Sequence, residues 1–158
     1  MAVYLRMAAA SEAQVERLVE LRGQDAYFDE LIGVLKGRQS VDLDKMWDAV
    51  RSILGHVFDL TELGQPVSDD DFGYGPARYV APPEVATIAA QLEAISATDL
   101  ASRFDPSSLN ARGAYPPIWE RPEQAESWRV PCVTVTRSII KLIRAAARRG
   151  DGLLLSLL

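Results

Sequence analysis

Five residues have side chains suited to acid–base or anion chemistry: Asp44, Lys45, Arg78, Tyr79 and Tyr115. A lysine beside carboxylates can transfer protons, and an arginine can hold a carboxylate or phosphate in two-point contact. The same residues have a plainer reading. Asp44 can cap a helix, Lys45 can pair with Asp48 three positions on, and Arg78 can bridge locally. Surface ion pairs of that kind are common. Aromatic residues in and beside turns line pockets or anchor interfaces, and Trp119 and Tyr115, held among prolines, fit that description best. With Tyr74 added, the candidate pocket or interface is Asp44, Lys45, Tyr74, Arg78, Tyr79, Tyr115 and Trp119.

Other constellations fall short of a site. His56 stands alone without an identified nucleophile, and it lies where a positive charge favours the end of a helix. Cys132 sits at a helix start, which activates thiols, yet its apolar neighbours suit a small hydrophobe. Asp69, Asp70 and Asp71 are adjacent rather than alternating, unlike a calcium loop, and read as a solvated acidic turn. Gly73-Tyr74-Gly75-Pro76 lacks both phosphate-loop patterns, and Pro76 removes a donor. Trp47 belongs to an apolar stripe. No metal and no cofactor is expected.

One basic series stands out. Arg137, Lys141, Arg144 and Arg148 recur at helical spacing, with Arg149 alongside. This stripe can bind an anion, face the protein's own acidic loop, or face water.

The bulk composition narrows the classes. The chain has 158 residues, 48% of them apolar, which suits one domain over residues 1–158. Seventeen basic and 22 acidic residues give a net charge of -5, which disfavours nucleic acid and anionic membranes as partners. One cysteine cannot form an internal disulfide, which fits a reducing compartment. No apolar run approaches the roughly 20 residues of a membrane span, so a cytoplasmic setting is expected.

The elements that must position these residues follow from periodicity. Val3, Tyr4 and Leu5 favour an N-terminal strand. Ser11 three residues before Gln14 is a capping box, and Gly23 supplies the stop. A second helix is expected over Tyr27 to Lys36. Leu43, Met46, Trp47, Val50 and Leu54 form one apolar helical stripe. Asp59 to Pro76 has five acidic residues, no basic ones and repeated Gly and Pro, and reads as an exposed acidic loop. Ala77 to Val80 is a short central strand, and Pro82-Pro83 opens a helix. Thr98 and Asp105-Pro106 open two short helices. Cys132 to Gly150 keeps helical spacing, and Leu153 to Leu158 is a closing strand. The expected fold class is α+β: a small mixed sheet of about three strands packed by six or seven helices.

Three stretches carry a family resemblance. They are Val41 to Trp47 with Ala49-Val50 and Leu54; Gly73 to Val80 running into Pro83-Glu84-Val85 and Ile88 to Leu92; and Phe104-Asp105-Pro106 with Tyr115-Pro116 and Trp119. In these segments the chain resembles the YfbM-like family of uncharacterised bacterial proteins, domain of unknown function 1877. The resemblance implies an α+β fold and a bacterial cytoplasmic setting, and brings no assigned catalytic residue.

Two functions are compatible with these residues. One is a non-catalytic binding or protein-interaction module, of immunity or antitoxin type, whose acidity masks a basic partner. The other is a small-molecule enzyme using Asp44, Lys45, Arg78, Tyr79 and Tyr115. A terminal strand lying at a sheet edge would let a second copy pair, so monomer and homodimer are both open.

Overall fold

Local signals act as their chemistry requires. Ser11 Oγ accepts from the Gln14 N–H at 3.3 Å, and Gln14 Oε1 accepts from the Ser11 N–H at 2.9 Å. This reciprocal cap opens helix α1 (Glu12–Glu20). Asp105 Oδ1 likewise accepts from Ser107 and Ser108 at the start of a later helix.

The computed structural model describes residues 2–158. Strand β1 (Leu5–Ala10) precedes α1, and α2 (Asp25–Leu35), β2 (Ser40–Asp44), α3 (Trp47–Leu54), β3 (Gln65–Asp71) and β4 (Pro76–Val80) follow. The second half comprises α4 (Pro82–Leu92), α5 (Ala97–Ser102), α6 (Pro106–Ala111), α7 (Pro122–Glu126), α8 (Arg129–Arg149) and β5 (Gly152–Leu157). Among the described residues, seven helices have six or more residues, and α7 is a five-residue turn of helix.

The sheet departs from the expected small mixed one. It has five strands in the order β2-β1-β5-β4-β3, and every pairing is antiparallel. Two strands were concealed in the sequence for different reasons. In β2, Leu43 satisfies a period of 2 with Val41 as well as the helical stripe, and the backbone takes the first option. The helix therefore starts only at Trp47. In β3, a polar run with Pro66 and three aspartates has little strand propensity, and β4 recruits it as a sheet edge. The terminal strands β1 and β5 lie inside the sheet, so neither offers a free edge to a second copy.

Strand alternation divides the core into two layers. On one face α1 and α2 bury Leu18, Tyr27, Leu31 and Leu35 against Ala8, Ala77 and Leu154. On the other, α3 to α8 bury Val50, Ile53, Leu92, Ile139 and Ile143 against Met7, Val80, Leu153 and Leu155. The sheet is thus covered on both sides, with the larger core under α8.

Candidate functional site

The candidate residues do not share one cleft. Asp44 and Lys45 are exposed where β2 ends. Asp44 takes φ +50°, a left-handed conformation that aspartate tolerates, and its N–H donates to Asp42 Oδ1 at 2.9 Å. The expected Lys45–Asp48 pair does not form, because Asp48 is turned inward and otherwise engaged.

Asp48 is only 7% exposed. Its carboxylate accepts from Arg112 Nη1 at 3.0 Å and from the Tyr115 N–H at 2.9 Å, while its carbonyl accepts from Arg112 Nη2 at 2.9 Å. Tyr115 then stacks on Trp47 at 5.9 Å between ring centroids, and its hydroxyl accepts from the Val3 N–H at 3.1 Å. Trp119 is buried, with its indole N–H donating to the Ala114 carbonyl at 3.0 Å and its ring set edge-on to Phe104. Tyr115 and Trp119 therefore tie the Pro-rich connector to the core. A second pair flanks this one: Arg51 donates twice to Asp59, at 2.8 and 2.7 Å. Arg51 and the Thr61 donors hold the Asp59 carboxyl well below the usual carboxylate range.

Arg78 and Tyr79 are neighbours on β4 and so point to opposite faces of the sheet. Arg78 faces the α8 side, opposite Leu155. Its Nε donates to the Leu63 carbonyl at 2.9 Å, and its Nη2 to those of Glu62 and Gly64 at 3.2 and 2.7 Å. Arg78 and Tyr74 both line a cavity of about 130 Å³ with Leu5, Leu60, Leu155 and Leu157.

Tyr79 faces the α1 side. Its hydroxyl is buried and has no hydrogen-bond partner. Burial, then Glu12 and Asp151, push its ionisation upward. The ring fills the space above Gly152, where a Cβ would collide with it. It also floors a shallow groove along α1 formed by Val15 and Val19 and bordered by Glu12, Glu16 and Glu20.

The remaining candidates settle as follows. Cys132 is buried, and loss of hydration pushes its thiol up to about 12, so it packs as a hydrophobe. His56 is exposed just beyond α3. Of the acidic stretch, Gln65–Asp71 is strand β3, where Asp70 accepts from the Gly23 N–H and the Ser68 hydroxyl, both at 2.9 Å, while Asp59 to Gly64 stays outside any strand. Among the described residues the α8 stripe forms no ion pair with that stretch. Arg144 donates to the Leu92 carbonyl, and Arg149 is the stripe's one ion-paired member among the described residues, with Asp151.

A family model described as a domain of unknown function, DUF1877, matches residues 1–156. The chain belongs to the DUF1877 family. Its fold is similar to the crystal structure of YfbM from Escherichia coli, a protein of unknown function. Identity is 22%, each chain is covered over 100% of its length, and the TM-score is 0.71. No curated protein matches the chain. Among the described residues of this DUF1877 domain, no helix is long and apolar enough to cross a membrane. Among the described residues, no His, Cys, Asp or Glu side chains group in threes to hold a metal.

Sequence reasoning missed Asp48 and Arg112 in this domain. They lie 64 residues apart, and no local pattern pairs them. Asp48 lies off the apolar stripe of α3 and is buried because the Arg112–Tyr115 segment folds over it, which no local signal announces.

Proposed function

We propose that this DUF1877 domain is a non-catalytic protein-interaction module whose α1 face receives a basic partner. One observation carries the reading: Glu12, Glu16 and Glu20 border a groove floored by Val15, Val19 and Tyr79. Val19 is exposed there, and the Tyr79 hydroxyl beneath lacks an acceptor. Apolar surface framed by carboxylates suits a protein with exposed cations beside an apolar anchor. Edge strand β3, with Asp69 and Asp71 exposed, packs beside α1 and extends the negative field. An immunity or antitoxin role, masking a basic toxin surface, is the specific form this reading takes.

The test is affinity capture from the native host with the wild-type domain and with Glu12→Lys/Glu16→Lys/Glu20→Lys side by side. A specific protein held by the wild type, released by salt and lost with the variant supports the proposal. Capture that is absent, or equal with both baits, rejects it.

A further inference from the structure

Arg78 is a cation without a counter-ion. Among the described residues no carboxylate lies within ion-pair distance of its guanidinium. Asp59, bonded to the neighbouring Thr61, is already neutralised by Arg51. Three carbonyls take the hydrogens of Nε and Nη2, which locks the side chain in one orientation. Nη1 remains, with two N–H groups that no protein oxygen accepts. Nη1 is not buried, so those N–H groups stay accessible.

The adjoining cavity arises from the strand chemistry. Pairing between β4 and β5 ends at Arg78 and Leu155. Two positions further, beyond Ala77 and Ser156, Pro76 would stand opposite Leu157, and proline has no N–H to continue the ladder. The strands separate there, and the gap is about 130 Å³, lined by Leu5, Leu60, Leu155 and Leu157 together with Tyr74 and Arg78. Gly73 and Gly75, both at positive φ, carry Tyr74 over the opening.

We propose that this cavity binds a small monocarboxylate with a short apolar tail. The leucine floor favours hydrocarbon and penalises a second charge. A planar guanidinium with one free nitrogen suits a single carboxylate. The size limits the apolar tail to about a benzene ring or less, since a cavity of about 150 Å³ accommodates benzene and this one is about 130 Å³. The inference is independent of the acidic α1 face, which lies on the other side of the sheet.

The experiment is an amide NMR titration of the full chain with butyrate and benzoate, with butanol, benzyl alcohol and inorganic phosphate as comparisons. The carboxylates should give saturable shifts at Thr61, Gly75 and Leu157, with a Kd on the order of 1 mM. The alcohols and phosphate should bind about tenfold more weakly or worse. Arg78→Met should lose carboxylate binding by about tenfold or more. Since that substitution also frees the Glu62–Gly64 loop, Leu157→Phe provides a second arm. It fills the cavity with Arg78 intact and should abolish the shifts in a protein whose spectrum remains folded. No saturable shift with the carboxylates, alcohols or phosphate binding as tightly, or unchanged binding in folded Leu157→Phe would each overturn the proposal.

Discussion

Asp48 and Arg78 sit on the same face of the sheet and illustrate opposite ways of placing a charge inside a protein. Around Asp48 every strong acceptor is used: Arg112, the Tyr115 N–H and, at 3.8 Å, Arg51 converge on one carboxylate. Around Arg78 only neutral carbonyls answer the charge, and a cavity is left beside it. A buried charge whose partners are complete is a structural tie, because removing either side strands the other. A charge held rigidly but left without an opposite charge is preorganised for something not part of the chain. The comparison separates two polar clusters that residue type alone makes look alike.

Removing Asp48 should produce the largest effect. Asp48→Ala strands Arg112 and the Tyr115 N–H and should cost about 3 kcal/mol, read as a lowered midpoint in urea with an unchanged slope. A loss below about 1 kcal/mol would place Asp48 with ordinary surface pairs and dissolve the contrast.

The Arg78 side depends on Gly64. That residue holds φ +76°, and a Cβ would meet the Tyr79 carbonyl oxygen at 2.5 Å. Its own carbonyl accepts from Arg78 at 2.7 Å. Gly64→Ala combines backbone strain with overlap and should cost about 2–3 kcal/mol, measured by thermal unfolding. It should also disturb the amide signals of the cavity wall. If stability is unchanged, the loop is not packed on β4 as described.

The smallest effect is expected at Asp59, whose pair with Arg51 is more than a third exposed. Its carboxyl is depressed in the folded state, chiefly by Arg51 and then by Thr61. The stabilisation is therefore complete above the ordinary carboxylate pKa of about 3.9 and is lost as pH falls toward the folded value. After solvent screening it should amount to about 1 kcal/mol. Asp59→Asn should lower stability at pH 7 by that amount and flatten the acid limb below about pH 4. An acid limb identical to the wild type would show that the pair contributes nothing.

Local chemistry was legible wherever a residue's partner lies within a few positions. The Ser11–Gln14 box, Asp105 before Pro106, the Pro82 start and the Gly150 stop all act as their spacing predicts. So do Ala77–Val80 and the closing strand. Leu43 shows where pattern reading fails, since one leucine satisfied two periods and only the neighbouring β1 decided between them. The polar β3 strand is a strand only because β4 supplies a ladder for it. Of the seven candidate site residues, Tyr74 and Arg78 were brought together and Tyr79 was turned away by the two-residue period of β4.

The sequence by itself determined most of the helices, the caps at Ser11 and Asp105, the apolar faces and the family, because each is written in short-range spacing. Tertiary structure alone decided which strands became five in one antiparallel sheet, that both terminal strands lie inside it, and which charges found partners. Those outcomes depend on segments tens of residues apart meeting in space. A backbone ladder or a buried carboxylate is satisfied by whatever donor arrives there, and no local pattern specifies which one that will be.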